Sequence, residues 1–317
     1  MLNKNAHNQC RLDKSAAIVA LARDCAEPLK RSIPRIERLR SFFSNSIVVV
    51  VENDSIDDTK KVLQQWTETA SDVIILSRDV YEDTTPKKSA KLINPASSAA
   101  RIEKMCRFRN IYMDYLHNRA GASEQVPFDF IIVIDIDVEE FSEDTILDTV
   151  TSAPDDWVAL FSNGVKYIAP FGKKIRCRYY DDSAYIPYTE DAAVSMELTV
   201  DEMKLNRDAL SKEMKKSAFV KCLSAFGGIG IYRYQYIRDA YYKTQANTKN
   251  HYVESICEHI PINLSLRTHG ACYVVRDLLV YNKHILTIKD LFSELIPTHL
   301  WLALYRILNS SRIKFGK

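Results

Sequence analysis

Apolar and polar positions follow two periods in turn along the first third of the chain. "AAIVALA" (16–22) is a continuous apolar run of strand length. Pro28 then opens a segment in which Leu29, Ile33, Ile36, Leu39, Phe42 and Phe43 recur at helical spacing. From Ile47 the stretch "IVVVVE" returns to an unbroken β-branched run, so the order reads as a βαβ unit. A second helix is predicted from about Thr59, with Val62, Leu63 and Trp66 on its inner face and Asp57 or Asp58 as its cap. "DVIILS" (72–77) supplies a third strand. Strands alternating with helices favour a parallel sheet and an α/β fold.

Beyond this point the periodicity lapses. Residues 81–100 gather Pro, Ser and Lys as a long connection does. Helical spacing resumes over Glu103–Leu116, with Met105, Phe108, Tyr112 and Tyr115 near one face and Arg107 and Asn110 on another. A buried strand, "FIIVI", follows. The expected organisation is an N-terminal extension (1–14), one large α/β domain (15–288) and an amphipathic helical tail (289–317). The tail has two readings. Its apolar run from Leu295 to Leu308, followed by Arg312, Lys314 and Lys317, suits peripheral contact with an anionic membrane surface, or packing on the core or in a homodimer interface.

Composition narrows the partners. A formal net charge of +2 over 317 residues is too balanced for a dedicated nucleic-acid binder. Seven scattered cysteines without CxxC spacing argue for reduced thiols, hence a cytoplasmic location or the cytoplasmic face of a membrane. No run of about 18 apolar residues is present to span a bilayer.

The sharpest chemistry lies at two strand ends. "FIIVIDIDV" delivers Asp135 and Asp137, and residues two apart on a strand share a face, so two carboxylates converge. Hard oxygen ligands of this kind suit Mg²⁺ or Mn²⁺, with phosphate oxygens completing the shell. "VENDSIDDT" crowds Glu52, Asp54, Asp57 and Asp58 at the end of the preceding strand, where mutual repulsion calls for something to occupy the cluster. Ligands of open α/β sheets sit beyond such ends, so both clusters are expected at one cleft. In "SAFGGIGIYR", Gly227 and Gly228 precede another strand, and their missing side chains would let backbone N–H groups approach a substrate or simply make a turn.

In this order, "VENDSIDDT", "RIEKMCRFRN", "DIDV", "FSNGVKYIAPFGKKIRCRYYDDSAY", "SAFGGIGIYR" and "CEHI" resemble a GT-A glycosyltransferase, most similar to the capsule-associated mannosyltransferase-like group, over roughly residues 15 to 285. The resemblance implies a GT-A fold, a mixed and mainly parallel sheet flanked by helices. It implies a transferase moving a hexose from a UDP- or GDP-sugar to a glycan or lipid-linked acceptor in surface-glycan synthesis. Glu52 and Asp54 would then meet the nucleoside, and Ala22 and Arg23 would line the end of the first strand. Arg107 would reach the donor's phosphate or sugar, and Asp135 and Asp137 would hold the ribose and the Mn²⁺ or Mg²⁺ ion. Glu258 of "CEHI" would face the acceptor hydroxyl as a base or an orienting acceptor, with His259 beside it. Lys283 and His284 would supply a phosphate contact and a further metal ligand, with His269 as the rival.

Plainer roles stand against these. Asp57 and Asp58 suit a helix cap, Arg107 a surface ion pair, and "YYDDSAY" (179–185) an exposed loop as well as an aromatic acceptor platform. Two other classes compete with the transferase: a non-catalytic carbohydrate-binding protein on the same fold, which would tolerate loss of Asp137, and a sugar nucleotidyltransferase, against which the lack of an early glycine-rich basic loop counts.

Overall fold

The computed structural model describes residues 11–81, 98–121, 128–169, 174–191, 194–249 and 253–285. The first apolar run forms β1 (Leu12–Ala22), which starts four residues before the run because Leu12 already pairs with Phe43. It leads through α1 (Ala26–Ser41) to β2 (Phe43–Glu52). Phe43, expected on the helix, is the first residue of β2. Pro28 falls in the first turn of α1, where a missing N–H costs nothing. Helix α2 (Thr59–Thr69) and β3 (Val73–Ser77) complete the predicted alternation.

Helix α3 (Ala99–Gly121) is longer at both ends than its apolar face announced, and β4 (Phe130–Asp135) follows it. The second half is built of β5 (Glu140–Phe141), α4 (Glu143–Ser152), β6 (Trp157–Ile168), β7 (Ile175–Tyr179), β8 (Ile186–Pro187), α5 (Val200–Glu213), β9 (Phe219–Ser224), β10 (Ile229–Arg233), α6 (Tyr234–Ile237), α7 (His259–Ser265) and β11 (Ala271–Ile285).

One sheet runs through the molecule in the order β3-β2-β1-β4-β10-β6-β11-β9-β8, with β5 and β7 off this path. The pairing makes it mixed and mainly parallel: every strand of the path except β10 and β9 runs in one direction. Alternation along the buried strands supplies two cores. Ala17, Val19, Val49, Val51, Ile131 and Val133 face α3 on one side, while Ile18, Val48, Val50, Ile132 and Ile134 face α1 and α2 on the other. This explains why the strands read as continuous apolar runs. No helix among the described residues is long and apolar enough to cross a membrane. Most of the predicted N-terminal extension and the whole helical tail lie outside the described residues.

Candidate active site

The carboxyl ends of β1, β2 and β4 lie side by side, with Ala22 in register with Glu52 and Leu21 with Asp135. They open onto a cleft of about 800 Å³ that Ala22, Arg23, Asp135, Asp137 and Glu258 all line. The two aspartates meet by a different device from the one expected. Strand β4 stops at Asp135, and Asp137 sits in the turn that follows, closed by the Val138 N–H donating to the Asp135 carbonyl at 3.2 Å. Between them Ile136 is buried, and its carbonyl accepts from the Ser32 hydroxyl of α1 at 2.9 Å, which pins the turn.

Helix α3 sends Arg109 into this site, where Arg107 was expected. Arg109 is buried: its Nε donates to Glu258 Oε1 at 3.1 Å, its Nη2 lies 3.6 Å from Asp135 Oδ1, and its Nη1 donates to the Tyr112 hydroxyl at 3.3 Å. Arg107 is exposed on another side of the helix, its guanidinium 5.9 Å from the centre of the Phe108 ring. Helical geometry decides between them, because 105, 109, 112 and 116 share one stripe and 107 does not. Burial, with Asp137, Asp181 and Glu258 nearby, pushes Asp135 up to about 7 against the pull of Arg109. Glu258 is buried at the N-terminal boundary of α7, its second oxygen 3.8 Å from Cys257 Sγ. His259 stacks on Phe226 with ring centres 3.8 Å apart, and burial and the Arg109 charge hold it neutral, well below its ordinary value.

The acidic end of β2 is answered from inside the protein. Glu52 accepts from the Ser55 N–H at 3.0 Å and from the Ser77 hydroxyl. Asp54, at a φ of +53°, accepts from Lys104 Nζ at 2.7 Å and from the N–H groups of Val80 and Tyr81 at 2.6 and 2.8 Å. Burial alone would raise its pKa, but these donors hold it well below the usual carboxylate range. The residue of this turn that lines the cleft is Asn53. Asp57 ties two helices together, accepting from the first backbone N–H of α2 (Thr59) and of α1 (Ala26), each at 3.0 Å. Asp58 occupies the boundary position of α2 and makes no side-chain capping bond.

Gly227 and Gly228 adopt φ values of +69° and +101°. A Cβ on Gly227 would stand 2.2 Å from the Ser162 carbonyl oxygen, so the missing side chain serves a close approach of protein backbone. The Gly227 N–H donates to Asp181 and the Gly228 carbonyl accepts from the Asp135 N–H, so the turn positions two carboxylates. Lys283 and His284 lie on β11, and their side chains are outside the described residues. His269 stacks on Tyr236 with ring centres 5.0 Å apart.

With this geometry in place, family comparison is informative. Residues 16–261 match the model of a family described as Cryptococcal mannosyltransferase 1. The chain belongs to this mannosyltransferase family. No curated protein matches it. Among solved structures it is similar to the mannosyltransferase PcManGT from Pyrobaculum calidifontis in complex with GDP-Man and Mn2+, at 12% identity and a TM-score of 0.43 over 86% of this chain and 57% of that one. It is also similar to S. aureus TarS 1-349 (13%, 0.40, 88% and 63%). A further likeness is to M. tuberculosis glucosyl-3-phosphoglycerate synthase (13%, 0.41, 89% and 76%).

The residues that line this family member's cleft include several that the sequence reading passed over. Arg109 carried the clearest signal, a charge on the apolar stripe of Met105, Tyr112 and Leu116, where burial without a partner is costly. Of the "YYDDSAY" stretch, Tyr180, Asp181 and Asp182 line the cleft, whereas Tyr179 and Tyr185 pack edge-on in the core. Burial pushes Asp181 up to about 6, against the Gly227 N–H that favours its charged form. Among the described residues no group of three or more His, Cys, Asp and Glu side chains is arranged to hold a metal ion unaided. Two carboxylates on a cleft floor nevertheless fit Mg²⁺ or Mn²⁺, which take one or two protein carboxylates and fill the remaining positions from phosphate and water.

Proposed function

We propose that this cleft transfers a hexose from a nucleotide-sugar donor, UDP- or GDP-linked, to a glycan or lipid-linked glycan acceptor, with Mn²⁺ or Mg²⁺ held by Asp135 and Asp137. The observation that carries this reading is the convergence of Asp135, Asp137, Arg109 and Glu258 at the carboxyl ends of parallel strands. The donor's nucleoside would lie over Ala22 and Arg23, with Asn53 beside it, and its diphosphate would reach the two aspartates. The bound ion would neutralise charge gathering on the leaving diphosphate. Arg109 orients Glu258 and Asp135 by contacting both, so their oxygens are fixed before substrate arrives. Glu258 Oε1 is engaged by Arg109, and Oε2, which accepts a long contact from the Cys257 thiol at 3.8 Å, would take the proton of the acceptor hydroxyl as it attacks. Membership in a mannosyltransferase family favours mannose as the transferred hexose.

Calorimetric titration of GDP and UDP, each with and without Mn²⁺, into wild type and Asp137→Ala tests the reading. Metal-dependent binding of one nucleotide that the substitution abolishes is expected. Failure of folded wild type to bind either would overturn the donor site and favour the carbohydrate-binding alternative.

A further inference from the structure

Beyond Glu258 the cleft changes from charge to hydrocarbon. Met196 and Leu198, Val200 and Met203 of α5, and Val253 and Ile256 of the segment leading into α7 line it there. A third apolar cluster, separate from the two cores of the sheet, forms this wall: Leu198, Ile256 and Ile260 close over Ile186 of β8 and Leu223 of β9, with Met196, Met203 and Cys257 packed against them. Leu198, Val253 and Ile256 are buried, whereas Met196, Val200 and Met203 are only half-buried and keep apolar surface open to the cleft.

Strand order separates this wall from the end of the cleft at Ala22. Strand β9 is the fifth strand along from β1, about 24 Å away at the usual strand spacing. Helix α7 is fastened over β9, because Asn263 Nδ2 donates to the Ser224 hydroxyl at 3.0 Å and to the Ala225 carbonyl at 2.8 Å. The apolar cluster nevertheless reaches Glu258 itself, since Cys257, packed against the cluster, lies 3.8 Å from Glu258 Oε2. What can lie on the wall follows from its chemistry. A sugar ring needs partners for its hydroxyls and packs its C–H face on an open aromatic ring. Of the rings lining the cleft among the described residues, Phe108, Phe226 and His259 are buried, and the half-buried one, Tyr180, stands beside Lys166 and near Asp135 and Asp137. Asn247, which also lines the cleft, turns its amide to the backbone, donating to the Leu198 carbonyl at 3.3 Å and accepting from the Lys249 N–H at 3.1 Å. Lys204 and Arg207 share α5 with Met203, and Arg207 is paired with Asp182 and Asp208. Hydroxyls laid on methionine, leucine and valine would lose their hydrogen bonds to water without replacement. An alkyl chain gains by the same burial, and methionine side chains mould to it.

We propose that this wall is a subsite for an alkyl chain, and that the acceptor is a sugar attached directly to such a chain, with its attacked hydroxyl at Glu258 Oε2. The assignment to an acceptor rests on the transferase reading, in which Glu258 receives the acceptor's proton.

The test titrates methyl, butyl and octyl α-mannoside, kept below the concentration at which the octyl compound forms micelles, and free mannobiose into wild type and Met196→Gln/Met203→Gln. Each titration is run with and without saturating GDP or UDP and Mn²⁺. Affinity for wild type is expected to rise with chain length, the octyl compound binding at least about ten-fold more tightly than the methyl one, since a fully buried methylene is worth about four-fold. The double variant should flatten this series while keeping its nucleoside diphosphate affinity within about two-fold. Val200→Thr, nearly the same shape with one hydroxyl added, should remove a smaller part of the preference and serves as the readout where the double variant does not fold. Equal affinity of wild type for the three mannosides, or tighter binding of mannobiose than of the octyl compound, would overturn the proposal; with nucleotide still bound, the transferase reading would stand. An octyl preference that survives the substitutions would overturn it too, by placing the alkyl chain elsewhere. Chain-length dependence in a wild type that binds neither nucleotide would overturn the assignment to an acceptor and show that the transferase reading had failed separately.

Discussion

Replacing Arg109 by Met removes a guanidinium that is 3% exposed and touches two carboxylates, at 3.1 Å on Glu258 and 3.6 Å on Asp135. Breaking a buried pair from one side typically costs about 3–5 kcal/mol, because the partner is left charged without compensation. Here one partner has an escape. Asp135 is pushed up to about 7 even with Arg109 in place, so without it the carboxyl stays protonated to still higher pH. The loss should therefore sit near 3 kcal/mol at pH 6 and grow towards pH 8. The sign follows from proton counts: between the ordinary carboxyl value and the raised folded one, the folded state holds a proton that the unfolded state gives up, so stability falls as pH rises. The variant extends that window upward, which makes the deficit increase with pH. Urea unfolding at pH 6 and pH 8 measures it through the midpoint, with the slope unchanged. Arg107→Met is the control, expected to fall within about 0.5 kcal/mol of wild type as an exposed substitution. A deficit below about 1 kcal/mol for Arg109→Met at pH 8, or one that shrinks as pH rises, would refute the picture of a guanidinium holding two carboxylates together.

Further outcomes follow from the same contacts. Asp181→Asn should gain stability relative to wild type as pH rises from about 4 to about 6 and level off above that, since over this window the folded state keeps on Asp181, pushed up to about 6, a proton that the unfolded chain gives up; paired thermal melts from pH 4 to 8 check it. Asp54→Ala should lower stability by about 3–5 kcal/mol through stranding Lys104 and the Val80 and Tyr81 N–H groups, while Asp54→Asn, which tolerates the left-handed backbone, should cost less in chemical denaturation. Gly227→Ala should destabilise by more than about 3 kcal/mol or prevent folding, as its Cβ would stand 2.2 Å from the Ser162 carbonyl oxygen, and a loss of soluble expression or of the unfolding transition reports it.

The alternation of β1, α1, β2, α2 and β3 was legible because each element buries an uninterrupted apolar run or stripe against the two cores. The cleft position of Asp135 and Asp137 was legible for a related reason, since polar residues directly after a buried strand have few places to go, whereas Ala22, Arg23 and Glu258 were expected there only from the family resemblance. The antiparallel direction of β9 and β10 was not legible, although a strand was expected after Gly228, since short segments such as "FVKCLS" and "IGIYR" pair with partners far away in sequence and carry no local statement of direction. Crowded charge misled most. Glu52 and Asp54 suggested a ligand, yet a turn rich in backbone N–H groups and a lysine fifty positions along the chain satisfy them, and neither partner is visible from the turn itself.

The same contrast explains how the site is made rigid. Asp54 and Lys104 form a buried pair that fixes where α3 lies against the end of β2, and Arg109, five residues further on the same helix, is thereby carried to Asp135 and Glu258. The acidic turn thus acts on the cleft through α3, by setting the position of the guanidinium that organises its two carboxylates. A site assembled this way needs the fold complete before any of its members is in place, because Asp135 ends β4, Arg109 belongs to α3 and Glu258 comes 149 positions after Arg109. Sequence proximity therefore picks out individual members, whereas the buried charge on an apolar helix stripe marks the one that joins them.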